Sequence, residues 1–454
     1  MKGYNYWSYK PYKAPLSNVG DPYVCRLAPS ENAIHVEWLG NGGQVFFRKR
    51  NEGEYLLAGK TDGCEFDITG LDSDTDYELY VTRNGSKSRV RLFRAGKGVG
   101  VTVNYLHPED NAYCFSGGFI ASPSMVRHPD GHLLASMDVF HRNTPQNLTF
   151  IFRSDDDGKT WHHVCELMPC FWGKLFIHKG EVYMLSVNTE YGDLLIGKST
   201  DGGNTFCAPV TLLRGSNGKR GFAGVHKNPQ PVVVHNGRIY ESLEWGTWEN
   251  KEYGHAAMVM SADVDSDLLD PESWSFTEPV KFGHFAPELE HLPMNTMTIE
   301  GCLTVSPDGK LYNIMRFGME GKVLAYEVDP IDHEAPLKYS HLIELPTVWS
   351  KFMIKPDPVS GKYYSVITRM YDGNPHFREL LSLVVSDDME NWSVVKDIYD
   401  YRGCDQQKYG FQYVDFSFEG NDIIFLCRTG INNPNSYHDS NYITFDRIEN
   451  FRSL

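Results

Sequence analysis

The stretch SDDDGKTW, Ser154–Trp161, places three consecutive aspartates before a glycine, a threonine and a tryptophan. A calcium loop of the EF-hand kind requires glycine at its sixth position, and counting from Asp155 that position is Thr160. The stretch recurs as STDGGNTF at 199–206 and, in a weaker form, as SDDMENWS at 386–393. Recurrence at long intervals is typical of a repeated structural unit. We therefore interpret these aspartates as turn-forming residues and expect no metal at them.

A second repeat surrounds these stretches, in which two apolar runs flank a turn containing glycine. The turn glycines are Gly131, Gly180, Gly237, Gly309, Gly361 and Gly420. Each pair of runs is typical of a β-hairpin, and about two further strands follow each pair, so residues 97–454 are predicted to form a six-bladed β-propeller. The run VGVTVNYL, 99–106, is predicted to complete the last blade. Seven blades remain an alternative if an insert near Asp263 or Asp329 contains another hairpin.

Residues 1–96 show a different pattern, with short alternating strands between about Tyr23 and Arg94. About seven such strands, with turn signals and no helical period, predict a β-sandwich. Trp38 and the stretch GLDSDTDYELYV, which contains Tyr77, resemble the fibronectin type III pattern of a core tryptophan and a tyrosine corner. The whole chain is thus predicted to be all-β, with an N-terminal sandwich followed by a propeller.

Composition limits the partners of the chain. Lys and Arg number 43 against 59 Asp and Glu, and the formal net charge of -16 makes nucleic acid an unfavourable partner. No run of about 18 apolar residues predicts a membrane span. The start, MKGYNYWSYK, has no apolar run of signal-peptide length, so a cytoplasmic location is expected. The nine cysteines have no metal-binding spacing, and no metal or cofactor is expected. The oligomeric state stays open.

Propeller geometry predicts where the chemistry lies. If the first strand of each blade descends from the upper face, the second strands end at that face, and the aspartate turns lie beneath. The predicted second-strand ends carry His141, Tyr191, Glu244, Trp245, Arg316, Arg369 and Arg428. Loops at the same face add His226, Glu300, Lys351, Arg378, Gln412, Asp415 and His438. We expect His141, Tyr191, Glu300 and Asp415 to be catalytic and the other residues to bind substrate.

The aspartate stretches match the pattern S-x-D-x-G-x-T-W, and residues 98–454 resemble the sialidase superfamily of propellers. Sialidases have a carboxylate-binding arginine in the first hairpin, where this chain has Ala121. The pattern is more similar to the propeller-fold ulvan and rhamnose–glucuronate lyases. That resemblance implies a site containing His141, a tyrosine at Tyr183 or Tyr191, and arginines, although Ala121 also replaces the first histidine of those lyases.

Three functions follow, each with an acidic oligosaccharide as partner. A β-eliminating lyase is slightly favoured, in which Arg316 with Arg369 or Arg428 would neutralise a uronate carboxylate. His141 and Tyr191 would then transfer the protons. An exo-acting glycoside hydrolase would instead use a carboxylate pair drawn from Glu244, Glu300 and Asp415. The third alternative is a non-catalytic propeller that binds carbohydrate.

Overall fold

The computed structural model describes residues 22–216, 221–248, 254–281, 289 and 298–454. These residues form 33 β-strands and two short 3-10 helices, at Pro271–Ser273 and Phe451–Ser453. The predicted all-β class is confirmed. Within the described ranges, no helix is both long and apolar enough to cross a membrane.

The first eight strands form two sheets. They are β1 (Val24–Pro29), β2 (Ala33–Trp38), β3 (Gly43–Lys49), β4 (Leu56–Thr61), β5 (Glu65–Thr69), β6 (Thr75–Arg83), β7 (Ser86–Lys87) and β8 (Arg91–Ala95). One sheet has the order β1-β2-β5 and the other β4-β3-β6-β7, with β8 also paired to β6. Trp38 and Tyr77 are buried in a shared core. The Tyr77 hydroxyl accepts a hydrogen bond from the Asp72 amide at 2.9 Å, which holds the turn before β6.

Strands β9 to β33 form six further sheets among the described residues. Sheet one contains β10 (Phe119–Arg127), β11 (Leu133–Phe140), β12 (Leu148–Ser154) and β13 (His162–Leu167). Sheet two contains β14 (Phe171–His178), β15 (Glu181–Val187), β16 (Leu194–Ser199) and β17 (Val210–Leu213). Sheet three contains β18 (Gly224–His226), β19 (Val233–His235), β20 (Arg238–Gly246), β21 (His255–Asp263) and β22 (Trp274–Phe276).

The remaining three sheets follow the same order. Sheet four contains β23 (Thr298–Val305), β24 (Leu311–Phe317), β25 (Lys322–Glu327) and β26 (Lys338–Glu344). Sheet five contains β27 (Lys355–Pro356), β28 (Tyr363–Thr368), β29 (Leu380–Ser386) and β30 (Ser393–Asp400). Sheet six contains β31 (Gly410–Glu419), β32 (Asp422–Gly430), β33 (Tyr442–Ile448) and β9 (Val101–Tyr105). The segments after Asp263 and Asp329 lead into the fourth strands, β22 and β26.

The sheets close into a ring, which is a β-propeller. Strand β10 contacts β14 on one side and β31 on the other, β20 contacts β23, β23 contacts β27, and β28 contacts β31. Sheets two and three share a hydrophobic core. Strand β9, which precedes sheet one in the chain, pairs with β33 in sheet six and closes the ring, as predicted for the run 99–106.

Buried polar contacts join the N-terminal sheets to the ring. Arg26 of β1 donates from Nε to the carbonyl of Val103 at 2.7 Å. The side chains of Arg91 and Asp110, both almost fully buried, form a salt bridge of 2.7 Å. Since breaking a buried charge pair is costly, these contacts fix the N-terminal sheets against the ring.

The aspartate stretches lie between the third and fourth strands of sheets one, two and five, as predicted. In the first of them, Asp156 Oδ1 accepts from the amide of Thr160 at 2.9 Å and Oδ2 accepts from its hydroxyl at 2.7 Å. The Ser154 hydroxyl accepts from the amide of Gly158 at 2.8 Å, and Gly158 has a φ of +86°. Trp161 then packs on Phe445 of sheet six. The stretch therefore forms a turn and a seal between neighbouring sheets.

We expect Asp156→Ala to lower the free energy of unfolding by about 1–2 kcal/mol, because the Thr160 amide loses its acceptor. Asp155→Ala is the matched control. Among the described residues, the Asp155 carboxylate bonds to the partly exposed Arg153 side chain alone, so its loss should cost less than about 0.5 kcal/mol. Urea unfolding of both variants measures the difference. The turn-forming role is contradicted if the two variants are equally stable. It is also contradicted if Asp156→Ala loses stability only when a chelator is present.

Candidate functional site

In four of the six sheets of the ring, the first strand has a β-bulge at the equivalent position. The pairing with the second strand shifts between Ala121 and Ser124, Phe171 and Lys174, Ile299 and Cys302, and Gln412 and Asp415. Each bulge contains a residue in the left-handed region, with φ of +52° at Ser122, +51° at Trp172, +59° at Glu300 and +55° at Tyr413. Non-glycine residues rarely adopt this conformation. Because this conformation recurs at one level of the ring, we interpret the bulge as a specific structural feature that changes the direction of the side chains.

A cavity of about 570 Å³ opens at this level, and three of the bulge residues line it. The lining residues are Ala121, Phe140, His141, Arg142, Gln146, Phe171, Trp172, Glu190, His226, Trp248, Glu300, Arg316, Arg378, Tyr413, Arg428, His438 and Asp439. We call this cavity the bulge pocket. Its mixture of aromatic rings and convergent charged groups is typical of a small-molecule site.

Glu300, Tyr413 and Arg316 form a hydrogen-bonded group in the bulge pocket. The Tyr413 hydroxyl donates to Glu300 Oε1 at 2.6 Å, and Arg316 Nη1 donates to Glu300 Oε2 at 2.9 Å. Burial opposes the charge of Glu300, but Arg316 and Tyr413 outweigh it and lower the pKa of the carboxyl below its usual value. Burial and the nearby Glu300 charge raise the pKa of Tyr413 to about 12. Glu300 is therefore an anion beside a protonated phenol.

Arg378 and Arg428 are buried charges with unfilled hydrogen-bonding capacity. Their exposed fractions are 7% and 3%, and neither forms a salt bridge with a described residue. Arg378 donates from Nη2 to the carbonyl of Trp349, while its Nε and Nη1 are buried without a partner, as is Nε of Arg428. The Arg428 guanidinium lies 5.0 Å from the centre of the Tyr413 ring. Burial lowers the pKa of Arg378 to about 10.

His226 and Glu244 form a buried pair at another wall of the bulge pocket. His226 Nδ1 lies 2.6 Å from Glu244 Oε2, and both side chains are 1% exposed. Glu244 Oε1 also accepts from the amide of Gly301, in the bulge that carries Glu300, at 3.3 Å. The His226 ring contacts Trp172 with 4.4 Å between ring centres. One carboxylate thus positions the imidazole and supports the neighbouring bulge.

Two more acidic groups line the bulge pocket. Glu190 accepts from Gln146 Nε2 and from Trp248 Nε1, each at 2.9 Å. Asp439 Oδ1 lies 2.9 Å from His438 Nδ1. Burial and the charge of Arg428 lower the pKa of His438 to about 4, so this imidazole is neutral at neutral pH.

The structure brings together one half of the site residues predicted from the sequence. His141, His226, Glu300, Arg316, Arg378, Arg428 and His438 all line the bulge pocket. The structure places Tyr191, Glu244, Trp245, Lys351, Arg369, Gln412 and Asp415 outside its lining. Glu244 still acts on the pocket through His226.

The residues outside the lining have other partners. Asp415 forms a 2.5 Å salt bridge with Lys174 and accepts from the amide of Met125, on the other side of the bulge. Arg369 pairs with Asp397 within sheet five at 2.8 Å. Tyr191 is fully buried, and its hydroxyl lies 3.2 Å from His255 Nε2.

The other three placements follow from local packing. Lys351 donates to the carbonyl of Val414 at 3.0 Å and Gln412 donates to that of Tyr437 at 2.6 Å. Trp245 packs against the core shared by sheets two and three. These three side chains therefore stabilise the ring next to the pocket.

Sequence reasoning missed Tyr413 and Trp172. Both occupy bulges, and regular alternation along the strand gives no signal for a bulge. Tyr413 lies between the two residues that were selected, Gln412 and Asp415. Glu190, Arg142 and Asp439 were also missed. Their loops contain several polar residues, and the sequence gives no reason to select one of them as a site residue.

No family model matches the chain, and no curated protein matches it. Solved structures do match. A Hadza microbial sialidase aligns with a TM-score of 0.52 and 13% identity, over 94% of this chain and 95% of that chain. An α-L-arabinanase of Penicillium chrysogenum aligns with a TM-score of 0.50 and 15% identity, over 78% of this chain and 98% of that chain. An ulvan lyase aligns over 95% and 94% with 12% identity and a TM-score of 0.45. The first two alignments show that the chain is similar in fold to these propeller proteins.

Proposed function

We propose that this protein is a glycoside hydrolase that cleaves the bond of a sugar bearing a carboxylate, with Tyr413 as the nucleophile. The observation that carries the proposal is the 2.6 Å hydrogen bond from the Tyr413 hydroxyl to Glu300, beside two buried guanidinium groups that have no carboxylate partner among the described residues. Tyrosine serves as the nucleophile in sialidases, which depart from the two-carboxylate scheme of most glycosidases. The named functions of the sialidase and arabinanase neighbours fit hydrolysis.

The charge of the bulge pocket favours an acidic sugar. Buried charges in proteins are normally paired, because an isolated ion in a low-dielectric site is costly. Glu300 pairs with Arg316, but Arg378 and Arg428 form no salt bridge within the described ranges. Their free N–H groups match the planar geometry of a carboxylate. A substrate carboxylate would therefore supply the charge that these two residues lack.

The reaction would proceed in two steps. Tyr413 Oη attacks the anomeric carbon as the glycosidic bond breaks, and the phenolic proton moves to Glu300 Oε1. His226, held by Glu244, gives a proton to the leaving oxygen. Water then attacks the same carbon, its proton returns to His226, and Tyr413 recovers its own proton from Glu300. Two displacements at one carbon retain the anomeric configuration.

The alternatives have less support from the geometry. A lyase using His141 and Tyr191 would need both at the substrate, but Tyr191 is fully buried outside the pocket lining. A carboxylate pair drawn from Glu244, Glu300 and Asp415 would leave only Glu300 in the lining. A binding protein would need no tyrosine paired with a carboxylate.

The test is an assay of purified protein against oligosaccharides and aryl glycosides of uronic and 2-keto sugar acids, with neutral sugars alongside. We expect hydrolysis of an acidic sugar only, with retained configuration in the product observed by NMR. An unsaturated product detected by ultraviolet absorbance would establish a lyase instead. Saturable binding without turnover of any substrate would leave a carbohydrate-binding protein.

We expect Tyr413→Phe to reduce kcat at least about a thousandfold, because the variant lacks the attacking oxygen. KM and the melting temperature should change little, since only one oxygen is removed. Tyr105→Phe is the matched control, because this tyrosine of β9 is also buried and lies outside the pocket lining. Steady-state kinetics and thermal melts on both variants decide the role. A kcat for Tyr413→Phe within tenfold of the parent would exclude the nucleophile.

Arg378→Met tests the carboxylate separately. This variant should lose about 2–5 kcal/mol in kcat/KM toward the acidic sugar, and it should show no such loss toward the methyl ester of that sugar. The melting temperature should be unchanged or higher, because the substitution removes a buried charge that has no acidic partner among the described residues. Arg316→Met is the contrasting variant, expected to be less stable because it leaves Glu300 unpaired. Equal losses toward the acid and the ester would show that Arg378 does not bind the carboxylate.

A further inference from the structure

A cluster of two histidines and two glutamates lies where the N-terminal sheets meet the ring. His35 and Glu37 come from β2, Glu65 from β5, and His162 from the start of β13 in sheet one. We call these four residues the interface cluster. None of them lines the bulge pocket.

Three residues of the interface cluster, His35, Glu37 and Glu65, have donor atoms that all lie within 4.8 Å of one another, as ligands of one metal ion require. Glu37 Oε1 lies 3.3 Å from His35 Nε2 and 3.3 Å from His162 Nδ1. Glu65 Oε2 lies 3.7 Å from each of the same two nitrogens. Hydrogen bonds between such groups are usually 2.7–3.2 Å long. Nitrogen and oxygen ligands at about 2.0–2.2 Å from a tetrahedral zinc ion are separated by roughly 3.3–3.6 Å.

Two of the four side chains are held in place by further bonds. His35 Nδ1 lies 2.7 Å from Asp67 Oδ1, an arrangement that leaves Nε2 to face the two glutamates. Such a carboxylate behind a histidine is the usual support of a metal-bound imidazole. Glu37 Oε2 accepts from the amide of His163 at 2.9 Å, and Arg26 donates to Oε1 at 2.7 Å. The Glu37 carboxylate is thereby fixed in orientation.

The charge of the surroundings also favours a cation. Glu37, Glu65 and Asp67 are acidic, and the basic side chain of Arg26 bonds to Glu37. Arg26 directs two of its other N–H groups to the carbonyls of Val103 and Thr102 in β9. Three carboxylates against one guanidinium leave an excess of acidic groups, which a divalent ion would balance.

We propose that His35, Glu37 and Glu65 bind a divalent transition metal, best suited to zinc, and that the half-exposed His162 side chain completes the site and links the N-terminal sheets to the propeller. Two imidazoles with two carboxylates are a ligand set that zinc accepts. The side chains of His162 and Glu65 are 52% and 48% exposed, so an ion can enter from solvent. The role of the site is structural, because the cluster lies apart from the bulge pocket.

The experiment uses the full chain, treated with chelator, dialysed, and titrated with Zn²⁺ by calorimetry and with Co²⁺ by visible absorbance. We expect one ion per chain, the intense visible bands of tetrahedral Co²⁺, and a melting temperature that rises with free Zn²⁺. His162→Ala and Glu65→Gln should each weaken binding at least about a hundredfold. Both residues are half exposed, so these variants should still fold. Asp67→Asn should weaken binding about 10–100-fold.

Two control variants keep the outcome specific. His341 lies 2.7 Å from Glu390 in a partly exposed pair, and within the described ranges no other acidic or histidine side chain bonds to it, so His341→Ala should bind Zn²⁺ as the parent does. Cys64 is exposed and adjacent to Glu65, so Cys64→Ser should also leave binding unchanged. The proposal is overturned if the parent binds no ion or if His162→Ala and Glu65→Gln retain full affinity. A sulfur-to-cobalt charge-transfer band that disappears in Cys64→Ser would equally overturn it.

Discussion

The pocket depends on the β-bulges in the first strands of four sheets. A bulge frees backbone N–H groups from the strand pairing, and a buried N–H group needs another acceptor. Acidic side chains of neighbouring sheets supply acceptors. Asp138 of sheet one accepts from the amide of Trp172 at 3.0 Å, and Glu244 of sheet three accepts from that of Gly301 at 3.3 Å. Burial raises the pKa of Asp138 to about 8. The carboxyl therefore remains protonated at neutral pH, which avoids the free-energy cost of burying a charge.

The same bulges separate two positively charged regions inside an acidic protein. Glu300 and Tyr413 face the arginines of the bulge pocket. Lys174 and Asp415, each two residues after the left-handed residue of a bulge, lie on the other side of the bulges. Lys355 also lies 4.0 Å from Asp415 there. Burial lowers the pKa of Lys355 to about 8, which limits the repulsion among these lysines. The one extra residue of a bulge therefore decides whether a side chain lies near the arginines or near the lysines.

Local signals in the sequence predicted the fold well, and they predicted the site only in part. Turn glycines and the aspartate stretches act over a few residues, so the hairpins, the turns and the closing strand β9 were correctly located. Tyr413 was missed because a bulge breaks the two-residue alternation, and the break is fixed by contacts such as that of Glu244 with Gly301. Tyr191 was placed at a strand end, yet it packs against His255 in the interior. The interface cluster combines three strands distant in sequence, so no ligand spacing could reveal it.

Net charge alone would have argued against an acidic substrate. A formal charge of -16 repels an anion at long range, but salt screens that field beyond about 8 Å at physiological ionic strength. Recognition would therefore depend on the arginines in contact with the substrate, where water is excluded and Coulomb interactions are strong. Arg378 and Arg428 fulfil this condition because they are buried and lack acidic partners among the described residues. Under the proposed function, the acidic surface would oppose weak, non-specific binding of anions, while the pocket would prefer a carboxylate that reaches both guanidinium groups.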